Sequence, residues 1–445
     1  MPVASGAPRT DESLRIAYLA YRGNPHSGGQ GVYTRYLTRE LVALGHTVEV
    51  FGGQPYPVLE DGVGFTPVPS LDLYRQPDPF RVPHPREFKT RFDALEFALM
   101  CTAGFPEPLT YSLRLRSVLG PRRADFDVIH DNQCFGRGLL DLIDEGWPLV
   151  ATLHHPITVD RDLELAAAPN AFRRMTLRRW YGFLRMQMNV ARQVPRIVTV
   201  SESSKRDVVA QMGVRADRLH VVPIGVDDAR FRRLPDVERV PGRLMTTASA
   251  DVPLKGLVPL LEALAKVRTE RHVELVIVGK PRRQTRVTGT IERLGLAGNV
   301  KFVSGVSDDD IVRLYNEAEV AVVPSLYEGF SLPAIEAMAC ATPLVATTGG
   351  ALPEVVGESG RTGLLVPPND PGALAAALGQ ALDDADLRAR LGAAGRERVL
   401  ERYTWRKCAE GCVENYRALL DEMAGPGGAA PAVPAAAAPE VSAAC

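Results

Sequence analysis

The sequence predicts an α/β protein of two doubly wound domains that face each other across a cleft. Three observations predict it. Near the N-terminus a short apolar strand, a glycine-rich loop, an amphipathic helix and a second strand follow in that order. That order opens a parallel, doubly wound sheet. A second strand–helix series begins near residue 243. Between the two lies a stretch around Pro223 to Pro241, where VPIGVD leads into a Pro- and Arg-rich run that reads as a linker.

The elements follow in chain order. LRIAYLAY, residues 14–21, is the first strand, and GNPHSGGQG is the loop after it. Val32, Tyr36, Leu37, Leu41 and Leu44 recur at helical spacing and stop at Gly45. Residues 47–51 form the next strand. Residues 52–87 carry many prolines and read as long loops. Residues 88–119 read as helical with a break over Gly104 to Pro108. Strand signals return at 126–130, 149–153 and 197–201. The second series offers strands at 244–248, 273–278, 300–303, 320–323 and 344–346. The domains expected are 14–222 and 223–405, after a flexible start over 1–13. An Ala/Pro/Gly tail over 424–445 has too little varied apolar surface to pack.

Composition excludes several classes. A net charge of −1 gives no global attraction to nucleic acid, so none is expected as a partner. Cys101, Cys134, Cys340, Cys408, Cys412 and Cys445 are scattered without a C-x-x-C pair. Free thiols in a reducing, cytoplasmic setting fit this better than a disulfide framework or a zinc site. No stretch reaches the roughly 18 to 20 apolar residues of a spanning helix. The polar start MPVASGAPRTDES lacks the apolar region of a signal peptide.

Three segments carry candidate chemistry. In VAVVPSLYEGFSLPAIEAM, residues 320–338, a strand ends at Pro324, a loop presents Glu328 to Ser331, and a helix starts near Pro333. Ligands bind at the C-terminal ends of strands in such sheets, and a helix start offers N–H groups to an anion. Glu336, expected in the first helical turn, and Glu328 could grip two parts of one hydroxyl-rich ligand. Either glutamate alone could equally be a helix-start acid. In TASADVPLKG, Lys255 is expected at the start of a helix, where a cation opposes the dipole unless an anion lies nearby. In ATLHHP, His154 and His155 end a buried strand, and adjacent side chains diverge, so at most one faces the cleft.

These segments together resemble the retaining glycosyltransferases of family 4, which share the two-Rossmann GT-B architecture. SGGQGVY, LVALGHTVEVF, TLHH, VTVSESSK, VPIGVD, LKG, VELVIVGK, EGFSLPAIE, TPLVATTGGALPEVV and TGLLVPPND occur in the family's order over residues 14–422. The resemblance implies a nucleotide-diphosphate sugar of UDP or GDP type as donor. It implies a glycan, lipid-linked or small-molecule acceptor, and no cofactor or metal. By position, Glu336 would hold the ribose and Glu328 the transferring sugar. Lys255 would neutralise the diphosphate, and Gly329, Phe330, Ser331 and Leu332 would offer backbone N–H groups. His154 would touch the sugar, Gly29 would approach the phosphates or acceptor, and Lys280 and Gly305 would frame the base. The helix 406–422 would complete the N-terminal domain. Two departures stand out. Ala250 occupies the place of an arginine usual in the family, for which Arg282 or Arg283 could substitute, and Ile224 replaces a usual asparagine.

Competing readings are a non-catalytic sugar-nucleotide scaffold and a sugar-nucleotide epimerase of the same architecture. A dinucleotide oxidoreductase is disfavoured because the first loop lacks G-x-G-x-x-G and Gly52 and Gly53 stand where a ribose-binding acid is expected. Residues 172–196 are basic and interleaved with aromatics. They read as one amphipathic helix that either packs normally or lies on anionic lipid at the inner face of the membrane.

Overall fold

The computed structural model describes residues 13–23, 29–75, 77–166, 168–247, 252–280 and 285–425. The first lobe holds seven strands: β1 (Arg15–Ala20), β2 (Thr47–Gly52), β3 (Gly64–Pro67), β4 (Val128–Asn132), β5 (Leu149–Leu153), β6 (Arg196–Thr199) and β7 (Leu219–Val221). They lie in the order β3-β2-β1-β4-β5-β6-β7, all parallel. The second lobe holds β8 (Val240–Thr247), β9 (Glu274–Val278), β10 (Val300–Val303), β11 (Ala318–Val323), β12 (Leu344–Thr347) and β13 (Leu364–Val366). Their order is β10-β9-β8-β11-β12-β13, also parallel. Each sheet reverses its winding beside its first strand, and ligands bind at such a switch point. The fold is the α/β GT-B architecture expected.

Period-two alternation explains why both faces of each sheet are covered. Along β1, Ile16, Tyr18 and Ala20 join one apolar cluster, while Ala17 and Leu19 join the opposite one. Along β11, Val320 and Val322 face the helices Leu257–Val267 and Pro371–Asp383. Ala321 and Val323 face the helices Asp308–Glu317 and Leu332–Ala339. The terminal helix Trp405–Ala424 packs on the first lobe's sheet, although the second lobe precedes it in sequence. Its Trp405 stacks on Tyr36 at 5.5 Å and meets Tyr33 edge-on at 5.7 Å.

The chain crosses between lobes twice, and the two crossings touch. Val226 N donates to Tyr403 O at 2.8 Å. A Cβ on Gly225 would lie 2.2 Å from Trp405 N, so only glycine lets the strands of the hinge meet. Ile224 packs against the apolar clusters of both lobes. The departure from asparagine there thus has a packing role.

Several elements differ from expectation. β3, β7 and β13 were unforeseen: each has only three or four residues, too short for a periodic signal. The first helix begins at Gly29 rather than Val32, so Gly29 to Gly31 belong to its opening turn. The basic stretch is two helices, Ala171–Trp180 and Phe183–Ala191, parted at Tyr181 and Gly182. Residues 1–12 and 426–445, which hold nearly all of the expected flexible ends and Cys445, lie outside the described residues.

Candidate active site

The loop after β11 carries the centre of the site. Glu328 Oε1 accepts from Lys255 Nζ at 2.7 Å and from Ser325 Oγ at 2.6 Å. The Glu328 side chain is 11% exposed and that of Lys255 is 32% exposed, so the pair sits at the cleft surface with the carboxylate inward. Lys255 does not lie on a helix as expected. It ends a short 3-10 turn, Pro253–Lys255, and Gly256 separates it from the helix Leu257–Val267. Gly256 has φ of +65°, and a Cβ there would lie 1.9 Å from Pro324 O. That left-handed residue lets the Lys255 turn dock on the end of β11, where Leu326 N donates to Leu254 O at 2.7 Å. The Glu328 carbonyl accepts from Ala351 N at 2.8 Å, and a Cβ on Gly350 would lie 2.2 Å from it, so the loop after β12 backs closely onto Glu328.

Glu336 lies in the second turn of the helix Leu332–Ala339, not the first, because the helix begins at Leu332. Its Oε2 accepts from Tyr315 Oη at 3.2 Å. Burial raises its pKa to about 7, against the opposing Tyr315 hydrogen bond. Ser331, the residue before the helix, has φ of +111°, and its Oγ is buried with no partner among the described residues. Thr247 Oγ1 at the end of β8 is likewise unpartnered among them. Phe330 turns its ring into the second lobe, edge-on to Tyr403 at 5.7 Å, so only its backbone can meet a ligand.

The first lobe meets this loop at its strand ends. Ser201 Oγ and Ser204 Oγ both donate to Gly329 O, at 2.6 and 3.0 Å. Ser204 Oγ also lies 3.2 Å from His154 O. His154 thus stands across the cleft from the Glu328 loop. Asn132 Nδ2 donates to Thr34 Oγ1 at 3.0 Å, which leaves its Oδ1 to accept from His154 Nε2–H at 2.9 Å. Tyr33 meets the His154 ring edge-on at 4.6 Å. Burial lowers the His154 pKa to about 3, so the ring is neutral at ordinary pH. His155 instead turns to Asp160, 3.2 Å away. Nothing in the sequence flagged Asn132, Tyr315 or Ser325. The hydroxyls of VTVSESSK were visible there, but not their reach to Gly329.

The remaining candidates lie on the same edges. Gly29 opens its helix with nothing within 4 Å of a Cβ placed on it, so protein packing does not demand glycine there. Lys280 follows β9 and is exposed. Gly305 follows β10 with φ of +72°. Ala250, Arg282 and Arg283 lie outside the described residues, so the proposed replacement cation does too. A cavity of about 280 Å³ lined by Val252, Leu326, Arg286 and Asn369 among others adjoins the site, but Glu328, Glu336, Lys255 and His154 do not line it. No described helix is long and apolar enough to cross a membrane.

Comparison with known proteins assigns the chain to a family. Residues 27–230 match the model for Glycosyltransferase Family 4, and residues 238–398 match Glycosyl transferases group 1. The chain is 52% identical over 412 residues to the MMP α-(1→4)-mannosyltransferase of Mycolicibacterium hassiacum, covering 92% of this chain and 100% of the relative. This chain belongs to glycosyltransferase family 4. It is also 30% identical to the D-inositol 3-phosphate glycosyltransferase of Acidothermus cellulolyticus, over 94% of this chain and 93% of the relative. Among solved structures, sucrose-phosphate synthase of Thermosynechococcus elongatus superposes with a TM-score of 0.67 at 23% identity, over 91% of this chain and 99% of the other. Anabaena HepE in complex with UDP and glucose gives 0.63 at 19%, over 91% and 100%. Both share the fold of this family 4 glycosyltransferase.

The Glu336 environment yields a stability test. A carboxyl whose pKa rises on folding favours the protonated native state. The unfolded chain loses that proton near the ordinary value of 4.5, and the native state only near 7. Stability therefore falls as pH rises between those values. Glu336→Gln is expected to stabilise the protein at pH 8 by about 1–2 kcal/mol, since one unit is about 1.4 kcal/mol and partial solvent access screens it. At pH 4 the gain should vanish. Thermal melts of both proteins at the two pH values check this.

Proposed function

We propose that this glycosyltransferase moves a hexosyl group, mannosyl in the first instance, from a GDP- or UDP-type sugar to an acceptor hydroxyl, with retention and without a metal. The Mycolicibacterium relative's name supports mannose and an α-(1→4) linkage, and the HepE complex supports a nucleoside diphosphate leaving group. The observation that carries the reading is the Glu328–Lys255 pair, 2.7 Å apart, on strand ends that face His154. A bound diphosphate would draw Lys255 toward itself and leave Glu328 to accept from a hydroxyl of the transferring sugar. Glu336, desolvated and holding one hydrogen bond from Tyr315, has capacity for ribose hydroxyls. Gly329 to Leu332 would direct N–H groups at the donor, Gly29 would approach the phosphates or acceptor, and Lys280 and Gly305 would border the base.

Retention follows if the acceptor oxygen bonds to C1 on the face the diphosphate leaves. The C1–O bond to phosphate breaks, and a diphosphate oxygen takes the acceptor proton. His154, neutral with its Nε2–H held by Asn132, orients the sugar and transfers no proton in the reaction. Glu328 acts by position and charge, so the carboxylate-pair scheme of glycoside hydrolases does not apply.

A panel of nucleotide sugars, with nucleotide release measured with and without neutral sugar acceptors, tests the reading. GDP-mannose should be turned over. Glu328→Ala should lower kcat by about 10²-fold or more, the scale of a lost electrostatic group, with a smaller change in donor Kd. Glu336→Ala should chiefly weaken donor binding. Normal turnover in both variants contradicts the assignment. Binding without release from any donor favours a scaffold instead.

Peripheral membrane contact is a second element of the proposal, carried by one helix. On Ala171–Trp180, Phe172 and Met175 are exposed among Arg173, Arg174 and Arg178. The basic face is shorter than residues 172–196, since Arg192 donates to Met212 O at 2.7 Å and Arg196 is buried against Asn415. The protein should float with vesicles rich in phosphatidylglycerol and not with neutral ones. Phe172→Ser with Met175→Ser should abolish flotation, and unchanged flotation would contradict the assignment.

A further inference from the structure

Residues between β2 and β4 join Arg22 and Trp180 in a mixed aromatic and charged cluster at the C-terminal edge of the first sheet. Arg22 follows β1, and its Nε lies 3.0 Å from Oε2 of Glu107, the first residue of the helix Glu107–Leu119. That contact pairs the charges but is out of line for a hydrogen bond. Glu107 Oε2 has no hydrogen-bond partner among the described residues, and neither has the buried Tyr74 Oη. The Arg22 guanidinium lies 5.9 Å from the ring centroids of both Tyr74 and Phe105. Trp180 lies 5.7 Å from Tyr74 and 5.1 Å from Phe105. Tyr74, Phe105 and Trp180 are each only half-buried, so ring surface stays open beside the Arg22–Glu107 pair and the unpartnered Tyr74 Oη.

A cluster that served packing alone would not hold these groups. Among the described residues Tyr74 Oη is left unsatisfied, which costs about 1–3 kcal/mol, and the same cluster takes in a carboxyl, that of Glu107, only 9% exposed. Burial raises its pKa to about 8, with Glu96 and Asp72 adding to the rise and Arg22 opposing it. The cluster also lies where a ligand can arrive. Only β4 separates β1 from β5, which His154 follows, so the two loops are about 10 Å apart by strand spacing.

We propose that Arg22, Tyr74 and Glu107, with the rings of Phe105 and Trp180, form an acceptor subsite for an uncharged sugar. This rests on the reading of the cleft as a glycosyl-transfer site. The apolar face of a pyranose would lie on the rings, its hydroxyls would donate to Glu107 and Tyr74 Oη, and Arg22 would donate to a ring or hydroxyl oxygen. The charge balance rejects phosphate. Arg22 is paired with Glu107, Arg81 with Glu87, and Arg114 with Asp93 and Glu96 at 2.7 and 2.6 Å, so these guanidiniums are already neutralised. The acceptor therefore differs in class from the phosphorylated inositol in the name of the Acidothermus relative.

Steady-state kinetics with the donor turned over in the panel test this, using methyl α-mannoside, an α-linked mannobiose and D-inositol 3-phosphate as acceptors. Glu107→Gln and Tyr74→Phe should each raise KM for the better neutral acceptor about tenfold, the scale of one lost hydrogen bond. Donor KM should stay within twofold. D-inositol 3-phosphate should be a poor acceptor for the parent protein and a relatively better one for Glu107→Gln. The subsite is overturned if both variants keep the parent's acceptor KM within twofold, or if the parent prefers the phosphorylated acceptor. Should Glu107→Gln fail to fold, Tyr74→Phe alone decides. A parent protein that releases nucleotide from no donor overturns the donor reading instead, which separates the two failures.

Discussion

The geometry of the cleft hangs on a carboxylate that cannot remain alone. Glu328 is nearly nine-tenths buried at the junction of three loops, and a buried charge needs a partner. Lys255 and Ser325 supply one. To deliver Lys255, the chain turns through a left-handed Gly256 against the end of β11. To hold Glu328, the loop after β12 donates Ala351 N to its carbonyl. To meet the other lobe, the next residue offers Gly329 O to Ser201 and Ser204. One ion pair thus ties together the loops after β8, β11 and β12, and its neighbour ties them to the first lobe.

This arrangement separates groups that hold the structure from groups that wait for a ligand. The hinge contacts of Gly225, Ile224 and Trp405 are saturated and serve the lobes' relative placement. The cleft is different. Among the described residues Glu336 has one partner, Ser331 Oγ and Thr247 Oγ1 have none, and His154 keeps one ring nitrogen uncommitted. Such groups lower stability in the empty protein and can return that energy only when something binds.

Much of this was legible in the sequence, for physical reasons that also mark where legibility stops. Buried parallel strands are continuous apolar runs, so β1, β5, β9 and β11 were visible. The edge strands β3, β7 and β13 have no room for a pattern. The two glutamates were legible because a loop-and-helix setting at a strand end restricts what acids can do. Their partners were not: Tyr315 reaches Glu336 across 21 positions and Lys255 reaches Glu328 across 73, and no local rule reports such contacts. The basic run was read as one helix, packed or on lipid, because a sequence reveals neither the break at Tyr181 and Gly182 nor that Arg196 is buried against the terminal helix.

The central claim is that Lys255 exchanges Glu328 for the donor's diphosphate. Calorimetric titration of the free nucleoside diphosphate, which carries no sugar for Glu328 to grip, tests it most directly. Glu328→Gln keeps the shape and frees the lysine. It should bind GDP or UDP about tenfold more tightly than the parent, the equivalent of about 1.4 kcal/mol in removed competition, while Lys255→Met should bind more weakly. Unchanged or weaker nucleotide binding by Glu328→Gln would contradict the exchange.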